Sequence, residues 1–138
     1  MATKPVPYTT NLSLPVNSSV KIKGKPAMPF NMNPVMQVDF HTGTEVDSNI
    51  AFSFRVCFGN CVVMNSRKNG TWGEEVRSTD MLFEDGQPFD LDILVLSDQY
   101  RVTVNSTQFY TFPHRIERAS VRMLRVWRDV SLTSVTTP

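Results

Sequence analysis

Cysteine and histidine are scarce in this chain, with two of each among 138 residues. Cys57 and Cys61 flank a Gly59-Asn60 turn. No further Cys or His lies near them, so the ligand set of a four-coordinate zinc site is missing. His41 and His114 are accompanied by no Gly-x-Ser-x-Gly elbow or other nucleophile motif, which argues against covalent hydrolysis. Asp90 and Asp92 alternate with apolar residues and read as the solvated face of a strand rather than a catalytic carboxylate pair. Neither an enzyme nor a bound cofactor is expected. An excess of charge is also lacking: 14 Lys and Arg against 13 Asp and Glu give a net charge of +1. That balance provides no general attraction to nucleic acid or to an acidic membrane surface. No apolar run approaches the roughly 18 residues that cross a bilayer. The opening MATKPVPYTT has no apolar core of a secretory signal.

These absences set a compartment as an expectation. Synthesis in the cytosol leaves both cysteines as thiols, with a local disulfide or an intermolecular one after export as the open alternatives. The sequons at Asn11, Asn17, Asn69 and Asn105 would then stay unglycosylated, since the modification needs the secretory route.

What the sequence has in quantity is apolar alternation. Met36, Val38 and Phe40 face one way, Gln37 and Asp39 the other; Phe89, Leu91, Ile93 and Val95 repeat the pattern. Tyr100, Val102 and Val104, then Phe109 to Phe112, then Met123 to Val126 and Val130 to Thr133 continue it. Val20 to Gly24 reads as an edge strand ending in a Gly-Lys-Pro turn, with Lys21 and Lys23 guarding against edge-to-edge pairing. Pro26 to Pro34 reads as irregular strand, and the IERASV segment as one helical turn. Turn residues punctuate these runs, and neither an amphipathic helix nor an internal repeat is present. The expectation is an all-β chain of ten or more strands: one domain over 1–138, an antiparallel β-sandwich of jelly-roll type.

The stretch Ile50 to Arg77 carries the functional signal. Ile50, Phe52, Phe54, Val56 and Phe58 fall on one face and Ala51, Ser53, Arg55 and Cys57 on the other. Gly59-Asn60 turns the chain into a second strand ending near Asn65, and Asn69-Gly70 turns it again before Trp72, Glu75 and Arg77. The outer face thereby collects an amide, a carboxylate, guanidiniums, short polar groups and an indole. Sugars need such a set, because hydroxyls take directional donors and acceptors while the C–H face of a pyranose takes a flat aromatic surface. Trp72 is either that exposed platform or a core tryptophan; its neighbours Gly73, Glu74 and Glu75 favour the surface. Asn65, Glu75 and Arg77 form either a ligand cluster or an exposed ion pair of little energetic consequence.

Asn65 after Val62-Val63-Met64, followed by Trp72-Gly73-x-Glu75-x-Arg77, resembles the carbohydrate-recognition core of galectins. The likeness extends from LSLPVNSSVKIKG to DVSLT, and is nearest to the single-domain subgroup of the eosinophil crystal protein and the placental galectins. The resemblance implies a jelly-roll sandwich similar to legume lectins and a β-galactoside glycan as partner. It implies contact to the sugar by Asn65, Trp72, Glu75 and Arg77. It also implies homodimerisation, and a cytosolic protein exported without a signal peptide. The family usually carries His, Asn and Arg where this chain has Ser53, Arg55 and Cys57. In galectins that His and Arg hold the axial O4 of galactose, so the departure implies weakened or altered specificity. Arg55 and Ser53 are then the candidate replacement contacts. Arg55 pairing with Glu75 inside the groove is the other reading. The alternative function is a lectin-fold interaction or dimerisation protein that has lost galactose or reads another sugar.

Overall fold

Alternating sequences become strands here because each can bury one face against a second layer. The computed structural model describes residues 3–138, apart from the side chains of Gln108 and Phe109. The strands are β1 (Tyr8–Asn11), β2 (Ser19–Pro26), β3 (Val35–His41), β4 (Ile50–Cys57), β5 (Cys61–Lys68) and β6 (Thr71–Trp72), then β7 (Val76–Ser78), β8 (Phe89–Val95), β9 (Gln99–Val104), β10 (Thr107–Pro113), β11 (Met123–Arg128) and β12 (Val130–Thr136). A 7-stranded sheet runs β1-β11-β3-β4-β5-β6, with β7 also on β5, and a 5-stranded sheet runs β10-β9-β8-β2-β12. Every pairing between these strands is antiparallel. The chain is an antiparallel β-sandwich, as its alternation predicts.

Aromatic side chains join the two layers. Phe52 of β4 stacks on Tyr100 of β9 with ring centroids 4.7 Å apart and meets Phe112 of β10 at 5.0 Å. Phe40 of β3 closes on Tyr100 edge-on at 5.4 Å. All four rings are fully buried, each contributing on the order of 1.5–3 kcal/mol of transfer free energy. His114 caps this cluster: its ring lies 4.4 Å from Tyr100, and Nε2 bonds the Leu96 carbonyl at 2.8 Å.

Several elements differ from the sequence reading. β2 is not an edge strand, because β12 pairs along its far side; Lys21 and Lys23 stay exposed on its outer face. The Pro26–Pro34 region contains a 3-10 turn at Phe30–Met32 in place of strand, and Val16 is exposed although Leu12 and Leu14, at the same alternate spacing, are buried. Within β4 the strict alternation begins only at Phe52. Ile50 pairs with Arg67, while Ser53 pairs with Asn65, which leaves an extra residue on β4. That bulge puts both Ala51 and Phe52 in the core and turns Ile50 toward the opposite face, among groove-lining residues. The expected strand Phe109–Phe112 lies within β10, but the Phe109 side chain is outside the described residues.

Candidate carbohydrate-binding groove

Pairing register aligns side chains into rows across the outer face of the 7-stranded sheet. One row runs Arg77, Val63, Arg55, Gln37, Trp127. The next runs Asn65, Ser53, Asp39, Arg125, and beyond the bulge come Trp72, Arg67, Ile50, His41. Successive rows are about 7 Å apart, two strand residues. Gln37, Ser53, Arg55, Val63, Asn65, Trp72, Gly73 and Glu75 line an open groove of about 320 Å³.

Trp72 is 44% exposed. The β5–β6 hairpin carries it, turning through Asn69 (φ 54°) and Gly70 (φ 78°), the left-handed pair that Asn-Gly supplies at least cost. Arg67, its cross-strand partner, holds a guanidinium 5.5 Å from the indole centroid.

Asn65 is almost wholly committed to the protein. Its Nδ2 donates to the Gly73 carbonyl at 2.9 Å, and its Oδ1 accepts from the Ser66 N–H at 2.8 Å and from Arg115 Nη1 at 2.9 Å. One amide hydrogen is left over for a ligand. Arg115 also donates to the Glu74 carbonyl at 2.7 Å and lies over the Phe112 ring at 4.6 Å. It therefore ties the Trp72–Glu75 segment to the core. A Cβ at Gly73 would meet Arg115 Nη1 at 3.0 Å and Asn65 Oδ1 at 3.3 Å, so the glycine permits this close packing.

Glu75 stands between two guanidiniums. Its Oε1 accepts from Arg77 Nη2 at 3.2 Å, and its Oε2 lies 3.8 Å from Arg55 Nη2. Arg77 also points Nη1 at Cys61 Sγ, 3.1 Å away, and stands behind Glu75 outside the groove lining. Arg55 reaches toward Glu75 across the groove wall, the second of the two arrangements left open by the sequence. Ser53 is buried and, among the described residues, its side chain receives only a long 3.4 Å bond from Gln37 Nε2.

Cys57 and Cys61 face each other across the hairpin as free thiols. Burial, followed by the neighbouring Cys61, pushes the Cys57 thiol up from its ordinary value, which keeps it protonated and a poor nucleophile.

Five of the six candidate residues therefore share the groove lining. The sequence marks Gln37 and Asp39 only as outward-facing; Gln37 lines the groove, and Asp39 lines the adjoining depression. Gln37 Nε2 donates to both Asp39 oxygens at 3.0 and 3.1 Å, while Gln37 Oε1 accepts from Arg128 Nε at 2.9 Å. The opposite amide orientation would set an oxygen against the carboxylate, so the network fixes the Gln37 rotamer. Arg115, next to His114 at the end of β10, carries no signal in the sequence that points to its role in tying down the Trp72–Glu75 segment. Among the described residues no group of three or more His, Cys, Asp or Glu is placed to hold a metal ion, and no helix is long and apolar enough to cross a membrane.

A shallow trough with one flat apolar wall and polar groups around it, set on the face of a two-layer β-sandwich, defines a lectin-type domain. The chain belongs to the galactoside-binding lectin family, whose sequence profile matches residues 5–137. It is 49% identical over 135 residues to human galactoside-binding soluble lectin 13, covering 98% of this chain and 97% of that protein. Human galectin-16 is likewise 49% identical over 130 residues, covering 94% of this chain and 92% of that one. The structure of sheep galectin-11 in complex with glycerol superposes with a TM-score of 0.90 at 45% identity, covering 96% and 98% of the two chains.

Proposed function

We propose that the protein binds β-galactoside-containing glycans of glycoproteins or glycolipids in the groove beside Trp72, more weakly or with altered selectivity compared with members that keep the usual contacts. The observation that supports this most is the half-exposed Trp72 indole standing over an open polar trough. In this reading the indole stacks on the pyranose C–H face, and Glu75 and the spare Asn65 hydrogen meet an exocyclic hydroxyl. Arg77 holds Glu75 in place, and Arg55 and Ser53 provide what contact remains to the galactose O4 edge. Two or three missing hydrogen bonds at about 0.5–1.5 kcal/mol each correspond to roughly fivefold to two-thousandfold in affinity.

A second reading is favoured by the Arg55–Glu75 approach and by the saturated Asn65 carbonyl: an interaction protein whose groove is occupied by its own side chains. The combined change Ser53→His, Arg55→Asn, Cys57→Arg separates the two. A large rise in lactose affinity supports the weakened-lectin reading. No change in affinity means that the groove is closed by something other than these residues.

The proposal extends to assembly and location. One groove per chain cross-links glycans only if two chains join, so homodimerisation would supply avidity; sedimentation at micromolar concentration tests it. We infer a cytosolic location, with the nucleus as the alternative, and presence outside the cell by signal-independent export. Intact thiols on protein recovered from both fractions are the expected finding.

A further inference from the structure

The Asn69-Gly70 turn sets a side-chain amide beside the backbone N–H that follows it. Both residues are exposed. Asn69 donates its own backbone N–H to Asn49 Oδ1 at 2.9 Å, but its side chain makes no hydrogen bond among the described residues. The Gly70 N–H donates none either, and a Cβ at Gly70 would meet nothing within 4 Å. An unshielded backbone nitrogen next to a free primary amide is the pair that closes to a cyclic imide. At the other asparagines that pair is incomplete. Leu12, Ser18 and Met32, which follow Asn11, Asn17 and Asn31, donate their N–H groups to the carbonyls of Arg122, Pro15 and Pro29. Pro34, after Asn33, has no N–H. The side-chain oxygens of Asn49, Asn65 and Asn105 accept from the N–H groups of Asn69, Ser66 and Asp90. Asn60 precedes Cys61, which is buried and paired with Cys57 across the hairpin.

We propose that Asn69 is a site of spontaneous deamidation whose isoaspartyl product disables the groove by displacing Trp72. The functional half of this rests on the reading of the groove as a sugar site. The Gly70 nitrogen attacks Asn69 Cγ; an N–C bond forms, and the side-chain nitrogen leaves as ammonia, taking up the Gly70 proton. Water then opens the imide. Cleavage at Cγ leaves aspartate in an ordinary chain, whereas cleavage at the main-chain carbonyl leaves isoaspartate, with the backbone rerouted through the side-chain carbon. In sum, one amide and one water become one carboxylate and one ammonium ion, and nothing is oxidised. Isoaspartate adds an atom to the main chain between Lys68 and Thr71. Those two residues pair directly, as do Arg67 and Trp72 beyond them, in a register that the two-residue left-handed turn sets. The added atom breaks that register and moves the indole. Plain aspartate tolerates the left-handed φ of 54° and keeps the turn. The imide does not fit this turn, so the hairpin opens before the ring closes. Opening is local, since β6 is only Thr71–Trp72 and both residues are exposed. A sugar on Trp72 binds the closed hairpin and therefore slows the conversion by linkage.

The test is incubation of the full chain in mildly alkaline buffer at body temperature, with and without lactose. Peptide mapping by mass spectrometry and isoaspartyl methyltransferase labelling follow each asparagine, and calorimetry follows lactose affinity. Asn69 is expected to convert ahead of every other asparagine, with affinity falling in step with its isoaspartyl fraction. Lactose at about ten times its dissociation constant should slow the conversion roughly tenfold. Asn69→Gln should keep its affinity through the same incubation, and fresh Asn69→Asp should bind lactose as the unmodified chain does. Another asparagine converting first would overturn the site. Isomerised protein that binds lactose undiminished, or Asn69→Gln that loses affinity at the same pace, would overturn the link to Trp72. A conversion rate indifferent to bound lactose would overturn that link as well. If fresh protein binds no lactose while Asn69 still converts first, the galactoside reading falls and the modification site stands.

Discussion

Trp72 and Arg115 have opposite relations to the groove. Trp72 is exposed and its indole does nothing for the core, so Trp72→Ala should leave the unfolding midpoint nearly unchanged. It should weaken lactose binding by about 2 kcal/mol or more, roughly thirtyfold, as removal of a central aromatic anchor does; calorimetry beside a urea melt reads both. Arg115 has no place in the groove lining, yet it fastens Asn65, Ser66 and the Glu74 carbonyl to the strand below. Arg115→Ala should therefore lower stability by about 1.5–3 kcal/mol, the range for hydrogen bonds to charged groups, and should weaken sugar binding without removing a direct contact. The Asn65 carbonyl would be left with the Ser66 N–H alone, and the Trp72–Glu75 segment would be free to drift.

At the level of elements, the β5–β6 hairpin sets the position of the indole. An alanine at Gly70 would meet nothing within 4 Å, but it would have to adopt φ 78°. Gly70→Ala should then cost about 1–2 kcal/mol of stability through backbone strain alone, and lactose affinity should fall with it. This hairpin was legible in the sequence because Asn69-Gly70 is a local signal. So was the cluster of Asn65, Trp72, Glu75 and Arg77, which lies within one short run. The bulge at Ala51 was not legible: Ile50, Ala51 and Phe52 are all apolar, and alternation cannot tell which of them faces out. The central position of β2 was hidden for a different reason. Its outer neighbour β12 is contributed by the far end of the chain, and nothing local to Val20–Gly24 encodes that pairing. Gln37, Asp39 and Trp127 escaped likewise, since register across β3 and β11, rather than sequence proximity, brings them to the same face.

For the molecule as a whole, acid stability depends partly on His41, fully buried beneath the arginine-lined depression. Burial lowers its pKa below 6.5, outweighing the opposing pull of Asp39, while Arg67 and Arg125 lower it further. The unfolded chain binds the proton more readily than the folded one. Stability is therefore full above pH 6.5 and lost as pH falls from there toward the depressed folded value. The urea midpoint should drop between about pH 7.5 and about pH 5, and His41→Gln should flatten that part of the profile. Function at the same scale reduces to whether the sandwich still reads galactose. The most direct measurement is calorimetric titration of lactose into the reduced protein, with glucose and mannose as controls. The account predicts saturable binding of lactose alone, with a dissociation constant on the order of a millimolar. A flat response at high millimolar lactose, from protein with a normal unfolding transition, would contradict it.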